Sequence, residues 1–171
     1  STSGNGLTSN GTVLASAAAA AGGTIVGIKA VVVTTLTSTT GTTYVDATNV
    51  TLDYAQIAAG NYCFVTCIGT LQGNSDSLGQ IRPWVSLQRD GGEMAVQSFI
   101  LIGSGVSAPG GNFYDTFSGC IQAYSTAGDT DSSTYKIQIK CEGSSSNTVT
   151  IWGSGITGNS TTVLSIMEFE V

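Results

Sequence analysis

Histidine is absent from this chain of 171 residues, and charged side chains are scarce, with 5 basic and 11 acidic residues. A catalytic triad needs a base, most often histidine, and the sequence also lacks the G-x-S-x-G elbow that presents a serine nucleophile. Paired catalytic carboxylates need a cleft, and no pattern in the sequence marks one. We therefore expect a protein without enzymatic activity.

Basic residues and long apolar runs are also missing. Binding of nucleic acid needs clustered lysine and arginine, whereas this chain has a net charge of −6. No apolar run approaches the ~20 residues of a membrane span, so we expect neither nucleic acid nor a membrane as a partner. Charged residues form only 9% of the chain, against a usual ~25%. Much of the surface must therefore be neutral or covered by another subunit.

The four cysteines do not show the paired C-x2-C spacing of a zinc site. Cys63 and Cys67 lie ~13 Å apart on one predicted strand, too far to form a disulfide bond. Reduced buried thiols, one disulfide from Cys141 to Cys63 or Cys67, and a metal site all stay open, with reduced thiols favoured. Residues 129–132 (DTDS) begin like a calcium loop, but its twelfth position is Lys140 instead of an acid. We expect no metal and no cofactor.

From residue 24 onward, apolar and polar residues alternate in short runs that are separated by turn-forming clusters. The predicted strands cover residues 25–37, 43–47, 50–57, 61–71, 80–89, 93–102, 112–124, 134–142, 148–152 and 161–171. Asp90-Gly91-Gly92 predicts a hairpin, because glycine accepts the positive φ of such turns. This number and spacing of strands indicates an all-β fold, and we expect an antiparallel β-sandwich arranged as a jelly roll.

Three strands allow predictions about individual side chains. In the strand at 61–71, one side carries Tyr62, Phe64, Thr66 and Ile68, and the other side carries Cys63, Val65 and Cys67. Near the C-terminus, Glu168 and Glu170 alternate with apolar residues, which is typical of a strand with one solvent-facing side. Trp84 lies in an alternating strand and is expected in the core.

The first 23 residues differ from the domain that follows at 24–171. They are rich in serine, glycine and alanine, and their only large apolar side chains are Leu7, Val13 and Leu14. Two interpretations stay open: a disordered tail, or an extended N-terminal arm that orders against a neighbouring subunit.

The body of the chain resembles the small β-sandwich domains of tailed-phage virion proteins. Residues 28–35 (IKAVVVTT), 37–43 (TSTTGTT) and 44–46 (YVD) are similar to the opening of those domains. Residues 87–91 (LQRDG) are similar to a central hairpin, and residues 160–168 (STTVLSIME) to the terminal strand. The resemblance covers the chain loosely from residue 25 to residue 171.

This resemblance implies a trimer on a virion surface. The short arm, in place of a long fibre shaft, favours a capsid decoration (cement) protein on the outer surface of the capsid, which stabilises the head shell. Its partners would then be further copies of itself, as a homotrimer, and the major capsid protein, contacted through Leu7, Val13 and Leu14. The alternative is a tail-fibre or baseplate receptor-binding tip that contacts host surface glycans. A carbohydrate-active enzyme on a jelly-roll scaffold is the least favoured function.

Overall fold

The computed structural model describes residues 23–75, 80–98, 101–102, 113–126, 130–142, 148–151 and 161–170. These residues contain β-strands and no helix, which confirms the predicted all-β class. The strands are β1 (Ile25–Val33), β2 (Thr37–Thr39), β3 (Val45–Ala55), β4 (Tyr62–Ser75), β5 (Gln80–Arg89), β6 (Gly92–Ser98), β7 (Leu101–Ile102), β8 (Phe113–Thr126), β9 (Ser132–Glu142), β10 (Thr148–Ile151) and β11 (Thr162–Phe169).

The strands form two antiparallel sheets. Sheet 1 has the order β1-β11-β4-β8, and β10 pairs with the second half of β4 and carries β2 at its other side. Sheet 2 has the order β3-β9-β5-β6, with β7 paired to the start of β5. If the short strands β2, β7 and β10 are set aside, the eight long strands can be numbered 1 to 8 in chain order. Their order is then 1-8-3-6 in sheet 1 and 2-7-4-5 in sheet 2. This is the strand order of a jelly roll, as the sequence predicts.

Two local features explain where the predicted strands meet or divide. The predicted strands at 43–47 and 50–57 are one strand, β3, whose pairing with β9 shifts between Asp46 and Thr51. Asn49 has a φ of 63° at this irregularity. The predicted hairpin between β5 and β6 is confirmed, and Asp90 and Gly91 both have positive φ, 51° and 81°. Two such residues between paired strands match a type I′ turn.

The core lies between the two sheets. It is built from inward-facing valine, leucine and isoleucine side chains together with Cys63, Cys67 and Cys141. The side of β4 that carries Cys63, Val65 and Cys67 faces this core, so its other side faces outward.

Candidate association face

The outer side of sheet 1 forms one continuous surface across β1, β11, β4 and β8, which we call the neutral face. The strand register arranges its side chains in rows that run across the four strands. Three complete rows are Ile28–Met167–Phe64–Tyr124, Ala30–Ser165–Thr66–Gln122 and Val32–Val163–Ile68–Cys120. Alternate residues of each strand point to opposite sides, so the intervening residues fill the core.

None of the residues in the three rows of the neutral face is charged, and the first and third rows are apolar. Large apolar side chains on it keep much of their surface open to solvent: Ile28 (47%), Val32 (61%), Tyr62 (45%), Ile68 (54%) and Tyr124 (74%). The rings of Phe64 and Tyr124 pack with centroids 5.0 Å apart and form the most prominent part of the first row. Several exposed apolar side chains on one uncharged side of a domain are typical of a protein–protein contact.

The area of the neutral face decides whether it can form a stable interface without further contacts. Four strands at about 4.8 Å spacing and seven residues at about 3.3 Å each give a footprint of about 400 Å². A standard interface covers about 800 Å² on each partner. The neutral face therefore supplies roughly half of a stable interface, and a further contact region is needed.

The outer side of sheet 2 is different, because it carries charged side chains that pair with one another. Lys136 contacts Asp46 at 2.9 Å, and Lys140 contacts Glu142 at 3.1 Å. The pKa of Asp46 lies below its ordinary value, first because of the hydrogen bond from Gln138 and second because of the hydrogen bond from Lys136. Such surface pairs contribute at most about 1 kcal/mol each. Their importance here is that they make this side of the sandwich suited to water.

Trp84 also lies on the outer side of sheet 2, so its predicted place in the core is wrong. It is directly opposite Lys140 in the register of β5 and β9. The Lys140 ammonium lies 4.8 Å from the centre of the Trp84 ring and 4.9 Å from that of Tyr44. The ring is half-buried and packs against this cation.

Strand β8 is the edge strand of the neutral face, and near its end the Arg89 guanidinium donates to the Thr126 carbonyl at 3.1 Å. It pairs with β4 in unbroken register over 14 residues, and no strand in the described part of the chain pairs with its other side. The other long edge strands carry protective features, such as the irregularity at Ile25 and Gly27 in β1 and the shift in β3. Residues 118–126 of β8 have neither a charge nor a proline. An edge without these features favours contact with another chain.

A buried carboxylate lies directly behind the neutral face. Glu168 is fully buried on the inner side of β11, so the predicted solvent-facing position is wrong for this residue. It accepts hydrogen bonds from the Tyr54 hydroxyl at 2.6 Å, the Asn61 amide group at 2.6 Å and the Ile57 backbone N–H at 2.9 Å. The Ala58 N–H is a longer donor, at 3.3 Å.

These hydrogen bonds decide the ionisation of Glu168. Burial by itself raises the pKa of the carboxyl group, but the donors from Tyr54, Ile57 and Asn61 outweigh it, and the pKa lies below its ordinary value. None of the ion pairs in the described ranges involves this carboxylate. Glycine is required at position 27, because a Cβ there would collide with the Tyr54 hydroxyl. The cluster fixes residues 56–61 against β11 and so holds the strand that carries Met167 and Phe169.

All four cysteines are free thiols in this structure. Cys63, Cys67 and Cys141 are buried, and burial raises the pKa of Cys63 to about 11 and that of Cys67 to about 12. Thiols with such values are protonated near neutral pH and are poor nucleophiles. Cys120 is exposed and ends the third row of the neutral face.

The described residues contain no group of three or more candidate ligands that could hold a metal ion. They also contain no helix long and apolar enough to cross a membrane.

The site that the sequence predicts and the site that the structure presents are different parts of the chain. Leu7, Val13 and Leu14 lie outside the described residues, so their contact with a capsid stays a prediction. The neutral face was not predicted as a site. The sequence did not distinguish it, because both sides of the strand at 61–71 carry apolar residues.

Comparisons with known proteins give distant similarities only. No family model matches the chain, and no curated protein matches it. The C-terminal, sugar-binding domain of EclA is 13% identical over 70% of this chain and 74% of that one, with a TM-score of 0.39. Dimeric latent PorU from Porphyromonas gingivalis is 11% identical over 91% of this chain, with a TM-score of 0.39. The VP2 subviral particle of infectious bursal disease virus is 12% identical over 86% of this chain, with a TM-score of 0.28.

This chain spans only 14% of the PorU chain and 42% of the VP2 chain. A viral capsid protein and a sugar-binding domain are thus both among the structures that it is similar to. At these TM-scores the similarities carry no argument about function.

Proposed function

We propose that this protein is a structural protein of a virus particle: a homotrimeric decoration (cement) protein on the outer surface of a phage capsid. The observation that carries the proposal is the division of the sandwich into two unlike sides. The outer side of sheet 1 is uncharged in its three rows and apolar in two of them, and the outer side of sheet 2 carries paired charges. Such a division suits a subunit that associates through one side and meets water with the other.

In this proposal three sandwiches pack around a threefold axis with their neutral faces turned inward. Five large side chains on each face are about half exposed. Completing their burial contributes about 1 kcal/mol each, or about 5 kcal/mol per subunit. Association costs an estimated 4–15 kcal/mol in lost freedom of motion. The face is therefore sufficient to begin assembly, and further contacts are required for a stable trimer.

The N-terminal arm attaches the trimer to the shell by binding the major capsid protein. Three arms on one trimer bind together, because seating one arm raises the effective concentration of the others. Deletion of residues 1–22 should leave a folded domain, since the first strand begins at Ile25, but binding to undecorated capsids should fall steeply. The triple variant Leu7→Ser, Val13→Ser, Leu14→Ser should behave like the deletion.

The experiment adds intact, truncated and triple-variant protein to undecorated heads and measures occupancy and the heat stability of the heads. Circular dichroism of each variant is the control for folding. Equal occupancy by all three proteins would contradict the role of the arm. Immunogold labelling of whole virions tests the location: label over the head supports the proposal, and label confined to the tail would replace it with the receptor-binding tip.

A further inference from the structure

The sizes of the side chains predict a shallow groove across the neutral face, between its first and third rows. The middle row consists of the short or polar side chains Ala30, Ser165, Thr66 and Gln122. The flanking rows are four residues apart along each strand, or about 13 Å. Thr66 is 9% exposed, and its hydroxyl has no hydrogen-bond partner among the described residues. The groove therefore has a narrow, uncharged and partly polar floor, which suits a polypeptide segment with small side chains.

Gly23 and Thr24, the first described residues, continue the direction of β1 beside this face. The Glu170 backbone N–H donates to the Thr24 carbonyl at 2.8 Å, which continues the β1–β11 pairing by one residue beyond Ile25 and Phe169. Gly23 also lies close to β11, since a Cβ there would be 2.6 Å from the Glu170 carbonyl oxygen. Gly23 and Thr24 thus run along the strand direction at the end of sheet 1 and do not turn over their own neutral face.

We infer that residues 15–21 of one subunit lie in the groove of a neighbouring subunit. The inference rests on the proposed trimer and names a second contact within it. Residues 15–21 (ASAAAAA) are uncharged, and all seven of them are alanine or serine. Side chains of this size reach the floor of the groove without displacing the flanking rows.

Length supports this occupant. The eight residues from 15 to 22 span up to about 26 Å when extended. The four strands of the neutral face are about 19 Å across, so the segment is long enough to cross the groove of a neighbour. Residues 1–14, which include Leu7, Val13 and Leu14, stay available to reach the capsid.

The experiment uses the exposed thiol of Cys120, at the rim of the groove, as a reporter. In the full-length variant Ser16→Cys, mild oxidation should form a disulfide between residue 16 of one chain and Cys120 of another. The products run at two and three times the chain mass on a non-reducing gel, because each subunit offers one residue 16 and one Cys120, and mass spectrometry identifies the joined peptides. Two variants are matched controls. The first combines Ser16→Cys with Cys120→Ser. The second adds Thr51→Cys to these two changes and so moves the surface thiol to sheet 2. Both controls should lose the interchain product.

The outcomes separate this inference from the proposed function. Interchain linkage of residues 16 and 120 supports the inference. Linkage within one chain would show that the segment covers its own face, and this would overturn it. Absence of linkage in a protein that light scattering shows to be trimeric would overturn the groove contact and leave the trimer standing. A monomer without linkage would overturn both.

Discussion

Replacement of the buried carboxylate by an amide, Glu168→Gln, should strongly destabilise the fold. The Glu168 carboxylate accepts three hydrogen bonds of 2.9 Å or shorter, from Tyr54, Ile57 and Asn61. Glutamine has one acceptor oxygen, and its NH₂ group would face donors. At about 1.5–3 kcal/mol for each hydrogen bond to a charged group, loss of about two bonds costs about 4 kcal/mol.

This loss is large compared with a total stability of about 5–15 kcal/mol. For a chain of this length it lowers the melting temperature by about 10 °C. Urea denaturation followed by tryptophan fluorescence measures the change. Glu170→Gln is the matched control: Glu170 is exposed two residues later, and its replacement should change the free energy of unfolding by less than about 0.5 kcal/mol. If Glu168→Gln lies within about 1 kcal/mol of the parent, the account of this cluster is wrong.

The same variant gives a test in pH. The folded pKa of Glu168 is below its ordinary value of 4.5, so the carboxylate contributes its full stabilisation above that value and loses it as pH falls through the folded pKa. The difference in stability between the parent and Glu168→Gln should therefore be constant from about pH 6 to 8 and shrink in acid. A difference that grows in acid would contradict the assigned direction of the pKa shift.

Three further predictions concern the contacts of Glu168 and the four cysteines. Tyr54→Phe should lower the free energy of unfolding by about 1–3 kcal/mol, because it removes one donor to a buried carboxylate; an unchanged urea midpoint would contradict this. Gly27→Ala should destabilise by a comparable amount through collision with the Tyr54 hydroxyl, and Gly27→Ala with Tyr54→Phe should cost less than the sum of the two changes. In non-reducing mass spectrometry all four cysteines should be free, and Cys120 should react with Ellman's reagent before Cys63 and Cys67, whose pKa values are about 11 and about 12; several equally fast thiols would contradict the burial.

The strands were predictable because their physical signals are local. Alternation of apolar and polar residues marked each strand, and the positive φ required by Asp90-Gly91 marked the hairpin between β5 and β6. The division predicted at Thr48 and Asn49 is a local irregularity within β3, because pairing with β9 resumes at Thr51. A polar dipeptide in the sequence does not distinguish a loop from such an irregularity.

The neutral face was not predictable, because both sides of β4 are apolar. Phe64 and Ile68 are larger than Cys63 and Val65 and would ordinarily be placed in the core, yet packing against sheet 2 selects the smaller side. Alternation alone assigns residues to two sides of a strand without saying which side is covered.

The sequence did indicate that Glu168 lies on the inner side of its strand, but the prediction placed its side chain in solvent. It shares a side of β11 with Leu164 and Ile166, both fully buried, so its position in the strand already placed it inside. A carboxylate there becomes acceptable only through partners that are distant in the sequence. Tyr54 and Asn61 are 114 and 107 residues away, and their approach depends on the whole fold.

The most direct test of the central claim is the oligomeric state of neutral-face variants. Val32→Asp and Ile68→Asp each place a carboxylate among uncharged residues, and burial of an unpaired charge costs several kcal/mol. Sedimentation equilibrium at micromolar concentration should show a trimer for the parent and for the control Thr51→Asp, whose residue lies on the outer side of sheet 2. The two face variants should sediment as folded monomers, with association weakened by about a thousandfold or more. A parent that stays monomeric, or face variants that remain as trimeric as Thr51→Asp, would contradict association through this face.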